Sequence, residues 1–210
     1  MTRTMEERND QPLRWADQIP APLWDDLKTR PAKDAAAAVG AGWVDGAVFI
    51  VPMLNMDYIV DPQKRRILRD TQPNHRVSYQ SGVVLLTTLA KSMGVPPSGR
   101  MVTPLELTGG TLFFTGAHSL PVKPIAQRFG NAPEALIVKA RELGGHKVNG
   151  ADCAVCLNGL PQLPLYVLLW TADEEFSARV VIGIDDRALF HLDLAGIFAL
   201  TNIMAARLIG

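Results

Sequence analysis

Residues 160–186 read LPQLPLYVLLWTADEEFSARVVIGIDD, and the fold follows from how this stretch is parsed. Residues 165–170 are an unbroken apolar run bounded by Pro164 and Asp173, which predicts a strand covered on both faces. Residues 180–184 repeat that character after the acidic link Asp173-Glu174-Glu175-Phe176-Ser177, so two interior strands are predicted with a carboxylate-rich loop between them. Just upstream, 151–157 reads as a further strand, and Asn158-Gly159 is a strong hairpin-turn dipeptide. Downstream, Asp193 is placed to cap a helix running to Leu208, whose nearly all-round apolarity predicts burial against the sheet.

The first half of the chain is less regular. Residues 1–19 read as a loosely held polar arm, with Pro20 and Pro22 closing it. Leu23, Trp24 and Leu27 suit one short helix, and a second is predicted from Pro31 through the alanines 35–38 to a stop at Gly40. Strands are expected at 47–51, 56–60 and 66–68, the last two as a hairpin around Asp61-Pro62. Between 77 and 93, Tyr79, Val83, Leu86, Ala90 and Met93 share one helical face. Gly109-Gly110 predicts a turn before a strand-like Leu112-Phe113-Phe114, Ser119 a cap for a helix ending at Gly130, and Asn131 with Glu134 a capping box for a helix to Leu143. Strands and helices come in blocks, which predicts one α+β domain over 20–210, its sheet mixed or mostly antiparallel, closed by the C-terminal helix.

Composition narrows the function classes. Lysine plus arginine and aspartate plus glutamate balance at 21 each, and no basic run stands out, so neither nucleic acid nor an anionic membrane is expected as a partner. The N-terminus lacks the apolar core of a signal peptide, and 192–209 is too polar and short to span a bilayer. Two cysteines make no disulfide framework, and the cytoplasm is the expected compartment.

The acidic loop is the densest chemistry in the chain. Hard cations favour clustered carboxylates, so Asp173, Glu174 and Asp185 are candidate metal ligands, and Glu175 and Trp170 join them as candidate ligand-binding residues. Against this stands a plain turn, with Asp173 bonded to its own backbone or paired with Arg179 across the strands. Cys153 and Cys156 have C-x-x-C spacing, but in a strand they point to opposite faces, which predicts buried structural thiols. Gly109 and Gly110 lack the remainder of a phosphate-binding loop, and are turn residues first and ligand candidates second. The histidines at 75, 118, 146 and 191 have no metal-ligand spacing, and no nucleophile elbow accompanies Ser119.

Several of these segments together, Leu105-Glu106-Leu107-Thr108-Gly109-Gly110, Gly144-Gly145, Gly150-Ala151-Asp152, Leu160 to Leu165, Trp170-Thr171-Ala172-Asp173-Glu174-Glu175-Phe176 and Ile184-Asp185, resemble the family called domain of unknown function 3786, from mostly anaerobic bacteria and archaea. The resemblance spans roughly the last two-thirds of the chain. Some relatives carry a cysteine-rich iron–sulphur module that this chain lacks, and Ile182-Gly183-Ile184-Asp185 departs mildly from their usual leucine-phenylalanine-aspartate. It implies a setting in anaerobic metabolism, near corrinoid or iron–sulphur chemistry, and names neither an activity nor a cofactor. The expected function is an accessory domain binding a small molecule or protein. The alternatives are a metal-dependent hydrolase built on the acidic cluster and a structural or assembly protein.

Overall fold

The computed structural model describes residues 14–210, and the first part of the expected arm lies outside them. Residues 14–19 are docked: the Ala16 N–H donates to the Val77 carbonyl at 2.9 Å, and Ala16 and Ile19 are buried. Helices α1 (Ala21–Lys28) and α2 (Ala32–Val39) follow, α2 ending at Gly40 in the left-handed region as expected of its glycine stop.

An antiparallel meander comes next, β1 (Gly42–Val44), β2 (Val48–Pro52), β3 (Asp57–Asp61) and β4 (Arg66–Arg69), in the order β1-β2-β3-β4. The β2–β3 turn holds Leu54 and Asn55 at φ 51° and 60°. Its strain is compensated by docking, since the Leu54 N–H donates to the Asn158 carbonyl at 3.1 Å and Asn55 Nδ2 to that of Glu142 at 3.1 Å. Helix α3 (Tyr79–Lys91) is capped by Ser78, whose hydroxyl accepts from the Ser81 N–H. The helix is buried nearly all round rather than along one stripe, because Gly82 lies against Ala16, Ile19 and Ile67 while α1, α2 and the C-terminal helix pack on its other sides. Of the predicted face, Leu86 is buried but Met93 is exposed.

Then come β5 (Met101–Val102), α4 (Gly110–Phe113), α5 (Val122–Phe129), α6 (Pro133–Glu142), β6 (His146–Val148), β7 (Cys153–Leu160), β8 (Leu163–Trp170), β9 (Arg179–Asp185) and α7 (Leu194–Ile209). The second sheet has the order β5-β9-β8-β7-β6, again wholly antiparallel, with β8 at its centre. Asp193 caps α7 through the Gly196 N–H at 2.8 Å, and α7 buries Ile197, Leu200, Met204 and Leu208, closing the core. The class is α+β.

Several local expectations give way to tertiary packing. Leu112-Phe113-Phe114 is no strand: Gly110 and Phe113 lie in a short helix, where Phe113 stacks on His118, which meets Phe198 of α7 edge-on. Ser119 caps nothing, its hydroxyl bonding the Gly116 carbonyl, and α5 begins after Pro121. The Asn131–Glu134 box does not form, because Pro133 starts α6 with Ala132 as its cap residue. Asn158-Gly159 is not the hairpin turn. The strand continues to Leu160 through a bulge, and the reversal falls at Pro161-Gln162, packed under Gly40.

Among the described residues, helices pack on only one face of the second sheet. Val155, Leu157, Leu165, Val167, Leu169, Ile182 and Ile184 point into the core shared with α5, α6 and α7. The interleaved residues Ala154, Cys156, Tyr166, Leu168, Trp170 and Val181 point the other way, and none belongs to that core. Leu165, Val167, Leu168 and Leu169 are all buried as expected of an interior strand, while Tyr166 and Trp170 on the outer face are only partly so. Leu168, 7% exposed, is sheltered from the outside by its register partners Ala154 and Val181 and by the loop at Gly150.

Candidate functional site

The acidic loop leaves the sheet between Trp170 and Arg179, which are register partners with the Arg179 guanidinium 4.3 Å from the indole centroid. Arg179 therefore pairs with the ring and not with Asp173. The Asp173 carboxylate accepts from the Glu175 and Phe176 N–H groups at 2.9 and 2.7 Å, the self-bonded turn weighed against the ligand reading. Those N–H bonds hold its pKa below the ordinary value. Glu174, Glu175 and Phe176 are exposed, Phe176 at 70%.

Asp185 is not part of that cluster. It closes β9 at the end opposite the loop, about 20 Å away for six residues at ~3.3 Å each. An antiparallel hairpin forces this separation, so Asp173, Glu174 and Asp185 are not brought together as a ligand set. Among the described residues no three His, Cys, Asp or Glu side chains converge as a metal site. Asp185 is 1% exposed and accepts from the N–H groups of Ser98, Gly99 and Arg187 and from the Ser98 hydroxyl. Burial opposes its charge, but these bonds outweigh burial and hold its pKa low.

Other residues singled out by the sequence also have architectural duties. Gly109 takes φ 79° before α4, and a Cβ on Gly110 would collide with the Pro104 carbonyl oxygen. Asp152 accepts from the N–H and hydroxyl of Thr171, tying the start of β7 to the end of β8. Cys153 and Cys156 are free, buried and on opposite faces, with burial pushing both thiols above the ordinary value. A Ser–His contact does exist, Ser92 Oγ to His191 Nδ1 at 2.8 Å. Both residues are buried, and the same hydroxyl bonds the Ala38 carbonyl, so the contact joins α2, α3 and the turn before α7.

Among the concavities of the surface, two border the four-stranded sheet. One, of about 390 Å³, is walled by Gly40, Met53, Leu54, Asn55, Gly144 and Pro161, with no titratable side chain in its lining. The other, of about 320 Å³, lies between the docked segment at Trp15 and strand β4 and is lined by Arg65, Arg66, His75 and Arg76. The Arg76 guanidinium sits 4.6 Å from the Trp15 ring centroid and bonds Asp17 at 2.6 Å, and Arg65 reaches Asp25 at 3.0 Å. These pairs are solvent-exposed, each contributing about 0–1 kcal/mol. Arg66 makes no ion pair among the described residues.

Residues 64–76 carry Lys64, Arg65, Arg66, Arg69 and Arg76 against Asp70 alone, an excess of four positive charges within a chain of formal net charge +0. This signal was available as the run Lys64-Arg65-Arg66, and the expectation that no basic run stands out is corrected by it. Whole-chain neutrality hid it.

The fold and its concavities define an all-antiparallel α+β domain with a basic groove beside its N-terminal segment. The family model of DUF3786, a domain of unknown function, matches residues 32–207, and the chain belongs to this family. Among curated proteins none matches the chain, and no solved structure does either. Among the described residues, no helix is long and apolar enough to cross a membrane.

Proposed function

We propose that this protein is an accessory binding domain that receives a small molecule bearing carboxylate or phosphate groups in the groove of Arg65, Arg66, His75 and Arg76. The observation that carries this reading is the concentration of positive charge around one concavity of about 320 Å³, with Trp15 on its wall. Guanidinium groups suit planar and tetrahedral oxyanions through paired N–H donors, and an aromatic wall supplies area for the remainder of a ligand. The Asp17 and Asp25 pairs orient Arg76 and Arg65 at little energetic cost, and an incoming oxyanion replaces them. The resemblance to domains of mostly anaerobic bacteria and archaea is what places it, in this reading, in anaerobic metabolism in the cytoplasm. The metal-dependent hydrolase reading loses its ligand set, because its three carboxylates lie at opposite ends of a hairpin.

The test is thermal unfolding with inorganic pyrophosphate and with citrate as probes. Binding raises stability by about 2.7 kcal/mol at a concentration about 100 times the dissociation constant. The rise should vanish in Arg66→Gln/Arg76→Gln and persist in Asp173→Asn/Glu174→Gln. Absence of any shift with both probes, or a shift that survives loss of the two arginines, overturns the reading.

A further inference from the structure

Strand β4 is an edge of the first sheet, with no strand beyond it among the described residues, and that edge borders the basic groove. Which main-chain groups it presents follows from the ladder. The Asp70 N–H donates to the Asp57 carbonyl at 2.9 Å, one step beyond the register pair Tyr58–Arg69, so Asp57 and Asp70 are a hydrogen-bonded pair. Such pairs alternate along an antiparallel ladder. Leu68 and Arg66 therefore bond β3, and the N–H and C=O of Ile67 point outward. The β2–β3 ladder agrees. Met53 and Met56 exchange bonds at 2.9 and 3.2 Å, which turns the main-chain groups of Tyr58 and Val60 towards β2 and away from Arg69 and Ile67. Ile67 lines the groove, and neither of its main-chain groups has a hydrogen-bond partner among the described residues. The Arg69 carbonyl, by contrast, is taken by the Gln72 N–H at 3.3 Å, so the open edge is centred on Ile67.

We propose that the groove takes a short acidic peptide, whose central residue pairs with Ile67 as an added strand and whose carboxylates meet the arginines. This names the ligand class for the oxyanion-binding reading above and rests on it. An outward donor and acceptor on one residue are matched by one residue of an extended peptide, which returns a C=O and an N–H at the same spacing. Pyrophosphate supplies acceptors only and leaves the Ile67 carbonyl without a donor.

The order of side chains follows from the pleat. Alternation along β4 puts Arg66 and Leu68 on one face and Ile67 on the other, where its side chain is buried against Gly82. A ligand residue paired with Ile67 turns its own side chain towards that covered face and has to be small. Its two neighbours turn theirs to the side of Arg66. Arg65 stands in the turn just before Arg66, and Arg76 lies over Trp15 on the opposite wall. Acidic neighbours around a small central residue are the complement of that arrangement, and a space of about 320 Å³ suits two or three residues.

Isothermal titration of the full chain with acetylated, amidated glutamate-alanine-glutamate tests this. The decisive comparison is the same peptide methylated on the alanine nitrogen, which keeps its charge but loses the donor for the Ile67 carbonyl. Methylation should weaken binding about tenfold or more. Glutamine-alanine-glutamine, and the parent peptide on Arg66→Gln/Arg76→Gln, should bind more weakly as well. The main comparison sets two ligands on one unaltered protein, so no variant has to fold for it to be read. Equal affinity for the two acidic peptides overturns the proposal, as does a chain that takes up citrate through Arg66 and Arg76 but ignores the peptide. In both of those cases the oxyanion groove itself stands. A chain that responds to neither peptide, citrate nor pyrophosphate overturns the groove and the peptide together.

Discussion

Asp185 holds Ser98 in place across the chain, its carboxylate accepting the Ser98 N–H at 3.1 Å from a position 1% exposed at the end of β9. With Gly99 and Arg187 also donating, this one side chain fixes the loop that leads into β5. The residue that seemed a metal ligand in the sequence is the anchor of an edge strand.

Asp185→Asn puts an NH2 group against backbone donors and should cost about 2–4 kcal/mol near pH 7. The sign of the pH dependence follows from the depressed pKa in the folded state. The stabilisation is fully present above the unfolded value of about 3.9 and is lost as pH falls through the lower folded value. Urea titrations of both proteins should therefore converge as pH falls through the depressed folded value. A gap independent of pH would assign the loss to shape rather than to charge.

Gly109 and Gly110 separate two kinds of glycine requirement. Gly109→Ala strains a left-handed residue and should cost about 1 kcal/mol, whereas Gly110→Ala must displace the Pro104 carbonyl and should cost about 3 kcal/mol or more. Equal melting temperatures for the two variants would show that the 104–110 backbone yields freely.

What the sequence told correctly is what local pattern controls. The apolar runs of β8 and β9, the Asp193 cap and the Gly40 stop all depend on neighbours within a few residues, and each is found. Leu112-Phe113-Phe114 reads as strand by composition, but the backbone near Pro104 and Phe198 of α7, distant in sequence, hold it helical. Asn158-Gly159 has the chemistry of a turn, yet Leu54, about a hundred residues earlier, bonds the Asn158 carbonyl and keeps it in the strand. At the candidate site, Asp185 was misplaced for a reason the sequence already held, since hairpin pairing sends the two ends of β9 apart. The basic groove was missed because its charges were averaged over the whole chain.

The inward and outward faces of β8 make a paired prediction. Leu169→Ala empties a core position and should cost about 2–5 kcal/mol, while Leu168→Ala, on the outer face, should cost roughly half as much. Denaturant unfolding measures both. A larger loss at Leu168 would mean that the outer face, not the helix-covered one, is the tighter-packed side.

The two cysteines give the last prediction. Cys153 contacts the Pro133 carbonyl under α6, and Cys156 sits beside Tyr166 on the opposite face of the same strand, so neither can reach the other without breaking the β7–β8 ladder. Burial raises both thiols above the ordinary value, which keeps the reactive thiolate scarce at neutral pH. Alkylation of the native protein should be slow at both, and should accelerate together with global unfolding as urea is added. Cys156 should be the faster of the two, because only the half-exposed Tyr166 and its neighbours cover it. Rapid labelling of Cys153 alone would mean that α6 opens independently of the sheet. A reversible Cys153–Cys156 disulfide under mild oxidant would defeat the structural assignment of both.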